Sequence, residues 1–169
     1  MIGNDNYLMA TSHVGHNCRI GDHVIITNGA MLGGYVEVED QAIISGNCTV
    51  HQFVRVGRLA ILRGLSRTSR DVPPFCVMDG THTVRAINRV GLRRAGFTAT
   101  QVRALHNAFV RLFGRAGNLR NAIADVESEP VSADVRYLID FIRASKRGVC
   151  FGPRAGRMAP AATEPPSGE

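Results

Sequence analysis

The chain has 169 residues, a formal net charge of +6, four cysteines and no tryptophan. That length suits one elongated unit plus a small second one. It carries no apolar run long enough to span a bilayer and no secretory leader pattern, so a cytoplasmic location is expected. The cysteines form no disulfide framework, and the lack of a recognised nucleic-acid motif or base-stacking aromatics sets nucleic acid aside as a partner.

From Ile2 to Leu62 every sixth residue is aliphatic: Ile2, Leu8, Val14, Ile20, Ile26, Leu32, Val38, Ile44, Val50, Val56 and Leu62. A second column four places on holds mostly small residues, from Asn6 and Ser12 through Cys18, Ala30 and Cys48 to Ser66. This period is neither that of a helix nor that of a plain strand. It predicts a left-handed parallel β-helix of hexapeptide repeats over 1–72, each unit a short strand plus a corner. Gly3, Gly15, Gly21, Gly33 and Gly57 follow the aliphatic residue, where a left-handed corner would select glycine. Met1 runs straight into the repeat without a polar cap, so further coils are expected ahead of it.

The period breaks at Thr68, and Asp71-Val72-Pro73-Pro74-Phe75 reads as an exit turn, because paired prolines do not continue a ladder. Residues 73–97 are expected as an extension and loop over the coils. A helical unit follows over 98–151. Thr98 and Gln101 form a capping box ahead of the Val102, Leu105, Phe109, Leu112 stripe. A second helix carries Leu119, Ile123 and Val126, and a third starts near Ser132 with Val135, Leu138, Ile139 and Ile142 inward. The Pro-, Ala- and Gly-rich run 152–169 is expected to be a disordered tail. Arginine and lysine concentrate in this second half, a surface suited to an acidic or phosphate-bearing partner.

Chemistry is expected on the outside of the coils. In Val14-Gly15-His16-Asn17 the valine points in, so His16 sits at the corner facing out, with His13 one unit earlier. With three units per coil, Gly34 and Gln52 stack on His16, while Gly33 and His51 stack on Gly15. Histidine is the side chain best suited to accept a proton near neutral pH.

The segments His13-Val14-Gly15-His16-Asn17-Cys18, Val50-His51-Gln52-Phe53, Asp71-Val72-Pro73-Pro74 and Asn88 to Phe97 together resemble the UDP-N-acetylglucosamine O-acyltransferases of lipid A biosynthesis. The similarity runs from Ile2 to about Val149, roughly the last three fifths of a family member. It implies a homotrimer with active sites in clefts between subunits, no cofactor and no metal. It also implies transfer of an (R)-3-hydroxyacyl group from acyl carrier protein to the sugar 3-hydroxyl of UDP-N-acetylglucosamine.

In that reading His16 is the general base, Asn17 its neighbour, and the Gly34 N–H stabilises the tetrahedral oxyanion. His13, His51 and Gln52 bind the sugar or the acyl carbonyl region. Asn88 and Arg94 approach the nucleotide phosphates of a neighbouring subunit's site. Gly64 measures the acyl chain and His82 lines the same region. The basic helical half receives the acidic carrier.

The sequence departs from the family pattern at three residues, besides the N-terminal coils expected ahead of Met1. Asn17 stands where an Asp is common, Tyr35 replaces a histidine, and Ala95 replaces the last of a basic triplet. Two other readings stay open: a noncatalytic β-helix that only pairs with other chains, and a zinc lyase of the carbonic anhydrase type on similar coils.

Overall fold

A computed structural model describes residues 1–114 and 118–152. Eleven two-residue strands follow one another every six residues: β1 (Tyr7–Leu8), β2 (His13–Val14), β3 (Arg19–Ile20), β4 (Ile25–Ile26), β5 (Met31–Leu32), β6 (Glu37–Val38), β7 (Ile43–Ile44), β8 (Thr49–Val50), β9 (Arg55–Val56), β10 (Ile61–Leu62) and β11 (Arg67–Thr68). Tyr7 pairs with Ile25 and Ile25 with Ile43, so one coil takes eighteen residues and all pairing between coils is parallel. The strands sort into three sheets, one per side of a triangular prism.

The two repeat columns fill the prism. From Ile20 to Leu62 the aliphatic column is buried throughout, and so is the small column from Cys18 to Ser66. Alternating large and small side chains lets successive rungs interlock at crystal-like density without voids. Ile2 and Leu8 remain half exposed on the first coil. All four cysteines are free and buried.

The corners show why the residue types vary. A left-handed backbone recurs every sixth residue, at Asp5, Thr11, Asn17, His23, Gly29, Tyr35, Gln41, Asn47, Phe53, Leu59 and Leu65. These define corner I (5, 23, 41, 59), corner II (11, 29, 47, 65) and corner III (17, 35, 53). Ladder bonds hold the conformation: Tyr35 N–H donates to His16 O at 2.9 Å and Phe53 N–H to Gly34 O at 3.1 Å. The expectation that Gly15, Gly33 and their equivalents supply positive φ is therefore corrected. Those glycines are needed for close approach instead. A Cβ on Gly15 would lie 2.7 Å from Gly33 C, and one on Gly33 would lie 2.7 Å from Gln52 N.

The coil also persists beyond the point where the period breaks. Thr68 is buried, and β11 pairs with β8. Val72 bridges Val56, and β12 (Cys76–Met78) adds in parallel to β10, so the paired prolines sit in a corner rather than at an exit. β13 (Val84–Ile87) then turns back antiparallel on β12. Residues 73–97, expected as extension and loop, thus hold two strands and the short helix α1 (Arg89–Arg94).

Helices α2 (Ala99–Phe113), α3 (Leu119–Glu127) and α4 (Ala133–Arg143) begin at Thr98, Asn118 and Ser132, each capped by its own side chain, and Thr98 and Gln101 close the expected box. Their predicted stripes are buried, except that Leu119 at the start of α3 is only partly so. The helix α4 seats on the solenoid: Tyr137 Oη donates to Glu39 Oε2 at 2.6 Å, and the Arg55 guanidinium lies 4.1 Å from the Phe141 ring centroid. Burial and the Glu39 carboxylate push the Tyr137 phenol upward, keeping it a donor.

After α4 the chain returns as a strap over the top coil. Ser145 Oγ donates to Asp71 Oδ2 at 2.7 Å, Asp71 N–H to Gly148 O at 3.0 Å, and Cys150 N–H to Asp71 O at 2.8 Å. Residues 153–169, for which a disordered tail is expected, lie outside the described residues.

Candidate active site

At corner III, His16, Asn17, His51 and Gln52 are all exposed, and so is His13 on the adjoining side, as the period demands. The His16 ring is held from three directions. Its Nδ1 lies 3.1 Å from Asn17 Oδ1. The left-handed conformation that Asn17 adopts, with φ 60°, is one that Asn tolerates well. Below the ring is Gly34, where a Cβ would come within 2.6 Å of Nε2. Beside it stands Tyr35, edge-on, with centroids 5.2 Å apart and planes at 87°. Tyr35 stacks in turn on Phe53 at 5.0 Å. With Asn17 Oδ1 accepting the Nδ1 proton, Nε2 keeps its lone pair free, the arrangement a general base requires.

Three rungs meet at this corner. Gly15 approaches Gly34 N, Gly33 approaches Gln52 N, and His16, Gly34 and Gln52 therefore stack one coil apart. The amide of Gly34 donates to no carbonyl among the described residues, which leaves it available to a ligand oxygen. On the adjoining side, His13 in β2 lies in column with Met31 and Thr49. At the top of that side His82 Nδ1 contacts Thr68 Oγ1 at 3.2 Å and packs near Phe151. Partial burial, then Arg70 and Arg67, hold His82 below the usual histidine range and so favour its neutral form. Cys150 also reaches Thr68 Oγ1, at 3.3 Å, but burial pushes its thiol up to about 11, which makes it a poor nucleophile.

Around the corner from His16, a groove of about 660 Å³ is lined by Asn17, Tyr35 and Phe53 on one wall and Arg19, Glu37 and Arg55 on its floor. Lys146 and Arg147 of the strap close its end. The aromatic wall and the strap are what sequence reasoning missed. Phe53 shares the eighteen-residue column of Asn17 and Tyr35, so stacking the sequence on paper would have found it. Arg147 carries no local signal at all.

The structure does not gather every expected residue at one point. Gly64 belongs to corner II, across the side that bears His13. Asn88 and α1 lie at corner I, since Asn88 Nδ2 donates to Leu59 O at 2.8 Å. Asn88, expected at the nucleotide phosphates of a neighbouring subunit's site, is thus set apart from His16 within one chain. The residue is 4% exposed, its Oδ1 accepts from Gly91 N–H at 2.8 Å, and both ends of its amide are thus engaged in fixing α1. Arg94, in the last turn of α1, is exposed. Among the described residues no three His, Cys, Asp or Glu side chains converge as metal ligands would.

Residues 71–150 match the family described as Udp N-acetylglucosamine O-acyltransferase, domain 2, and residues 1–34 match the bacterial transferase hexapeptide repeat. The acyl-[acyl-carrier-protein]–UDP-N-acetylglucosamine O-acyltransferase of Gloeothece citriformis is 43% identical over 145 residues, covering 85% of this chain and 52% of its own. That of Burkholderia mallei is 38% identical over 154 residues, covering 88% and 59%. The chain thus spans between half and three fifths of the length of these curated relatives. Among solved structures, the UDP-N-acetylglucosamine acyltransferase of Francisella novicida superposes with a TM-score of 0.83 at 32% identity, covering 90% of this chain and 57% of that one. The Arabidopsis acyltransferase gives 0.82 at 33%, covering 88% and 56%. The fold class expected from the repeat, a left-handed parallel β-helix followed by helices, is the fold of these proteins. By sequence, repeat and fold, the chain belongs to the UDP-N-acetylglucosamine O-acyltransferase family.

Proposed function

We propose that corner III carries out acyl transfer from a (R)-3-hydroxyacyl carrier protein to the 3-hydroxyl of UDP-N-acetylglucosamine, the first step of lipid A biosynthesis. The observation that carries this reading is the His16 ring, oriented by Asn17 at 3.1 Å with Nε2 free above the Gly34 backbone. The names of the curated relatives supply the two substrates.

His16 Nε2 takes the proton from the sugar hydroxyl, whose oxygen attacks the thioester carbonyl carbon. The carbonyl oxygen becomes an oxyanion and receives the Gly34 N–H, a type of donor worth about 3 kcal/mol elsewhere. The C–S bond then breaks, and the carrier thiolate takes its proton back from the His16 imidazolium. Asn17 orients the ring yet offers the imidazolium no countercharge, which lowers the rate relative to an aspartate. Gln52 and His51, on the rungs of the same corner, bind the sugar or the acyl carbonyl region. An acyl chain leaving this corner crosses the side bearing His13 and Met31, with His82 at its top, toward Gly64 at corner II.

The same reading includes a homotrimer. Corner I carries Arg94 on the α1 helix that Asn88 fixes, and it lies a whole side away from His16. Three-fold packing of prisms supplies one subunit's corner to another subunit's site. The carrier is acidic and meets the exposed arginines of α1 and α2.

The test is a radiolabelled transfer assay with UDP-N-acetylglucosamine and long-chain 3-hydroxyacyl carrier protein. Transfer by the chain is expected to vanish in His16→Ala and to rise about tenfold in Asn17→Asp. Absence of transfer from folded samples of both the chain and Asn17→Asp would reject the reading.

A further inference from the structure

The strap holds an arginine against a histidine of the corner. Arg147 Nε donates to Ser69 O at 3.0 Å, and its Nη2 lies 3.3 Å from His51 Nδ1. The arginine does not swing freely onto His51. Its strap is tied to the top coil by Ser145 Oγ on Asp71, by Asp71 N–H on Gly148 O and by Cys150 N–H on Asp71 O, and Asp71 itself is 1% exposed. The guanidinium therefore arrives at His51 with its stem half-buried and one of its N–H groups already placed.

Two oxygen or nitrogen neighbours compete for the same ring atom. The carbonyl of Gln52 lies 3.2 Å from His51 Nδ1 and can only accept, whereas the guanidinium can only donate. A proton on Nδ1 would satisfy Gln52 O and face a cationic donor. A lone pair on Nδ1 satisfies Arg147. The charged donor makes the stronger hydrogen bond by about a factor of two, and the repulsion it would exert on an N–H is correspondingly larger.

We infer that Arg147 is a positioning residue that fixes His51 as the neutral tautomer with its proton on Nε2, a hydrogen-bond donor toward bound substrate. His16 is fixed the other way, with its Nδ1 proton toward Asn17 Oδ1 and Nε2 as acceptor. Corner III then presents one imidazole that takes a proton and one that donates a hydrogen bond, two rungs apart. The natural recipient of the His51 donor is an oxygen of the sugar or of the acyl carbonyl, and that part of the inference rests on the acyl-transfer reading.

The tautomer is measured directly, with no need for turnover. Long-range 15N–1H correlation spectra of the full chain are expected to show His51 protonated at Nε2. In Arg147→Met, which keeps an unbranched stem but donates nothing, the resonances are expected to move toward the Nδ1–H form as Gln52 O takes over. His16 should keep its Nδ1–H form in both. Catalytic efficiency in Arg147→Met is expected to fall about tenfold. A wild-type His51 protonated at Nδ1, or a tautomer indifferent to Arg147→Met, overturns the assignment. The wild-type spectrum alone decides it if the variant does not fold. A wild type that shows the expected tautomers but transfers no acyl group counts against the acyl-transfer reading and leaves the role of Arg147 standing.

Discussion

At Gly34 a single hydrogen in place of a methyl group decides where an imidazole can lie. All three atoms nearest a would-be Cβ belong to the His16 ring, so it is the ring that alanine would displace first. Gly34→Ala is therefore expected to leave thermal unfolding close to wild type and to reduce acyl transfer by about 100-fold or more, through displacement of His16 from its amide. Steady-state kinetics beside a melting curve separates the two effects. Gly33, one residue earlier, is the opposite case, since its Cβ would meet the Gln52 backbone. The same residue type thus serves the site at one position and the stacking of coils at the next. Sequence reading assigned the glycines that follow the aliphatic residue to turn conformation. It missed the distinction because an eighteen-residue contact leaves no trace in the neighbouring letters.

Among elements, the strap is the least legible in the sequence and the most consequential for the site. The capped starts of α2 and α4 were readable, because Thr98 with Gln101 and Ser132 are local signals that act within one turn. The strap depends on Asp71, whose carboxylate accepts from Arg55 N–H at 2.9 Å and from Ser145 Oγ, partners distant in sequence. Asp71→Ala leaves a buried amide and a hydroxyl without their acceptor. It is expected to cost about 2–3 kcal/mol in urea unfolding and to accelerate hydrogen exchange across residues 145–151. The short helix α1 escaped notice for a related reason. Its six residues are too few to show a stripe, and its N-cap, Asn88, is fixed by a hydrogen bond to Leu59 O, twenty-nine residues away.

For the molecule as a whole, the repeat made the prism predictable, because a period of six with one large and one small inward column admits few other solutions. The division of expected contacts among separate corners was not predictable from the period, which treats all three sides alike. Charge follows a similar division. The exposed Arg85, Arg89, Arg93, Arg94 and Arg103 lie on β13, α1 and the start of α2, and α1 has no acidic residue in its first turn. If this surface receives the acidic carrier, kcat/KM for the carrier substrate should fall several-fold between about 0.05 M and about 0.5 M salt, while kcat changes little. A salt-independent kcat/KM would place carrier docking elsewhere.

The eighteen-residue coil also restricts how such a chain can change length. His16, Gly34 and Gln52 are neighbours only because two whole coils separate the first from the last, at about 4.8 Å per rung. Insertion or loss of six residues within the coils would carry the later histidines to a different side of the prism, with the core columns still in register and the fold intact. Twelve would do the same in the other direction. Only steps of eighteen return every outward residue to its own corner, and even those slide the partners of His16 along the axis by one rung. Stability in this fold is thus indifferent to length in units of six, whereas a site spread over several rungs is not.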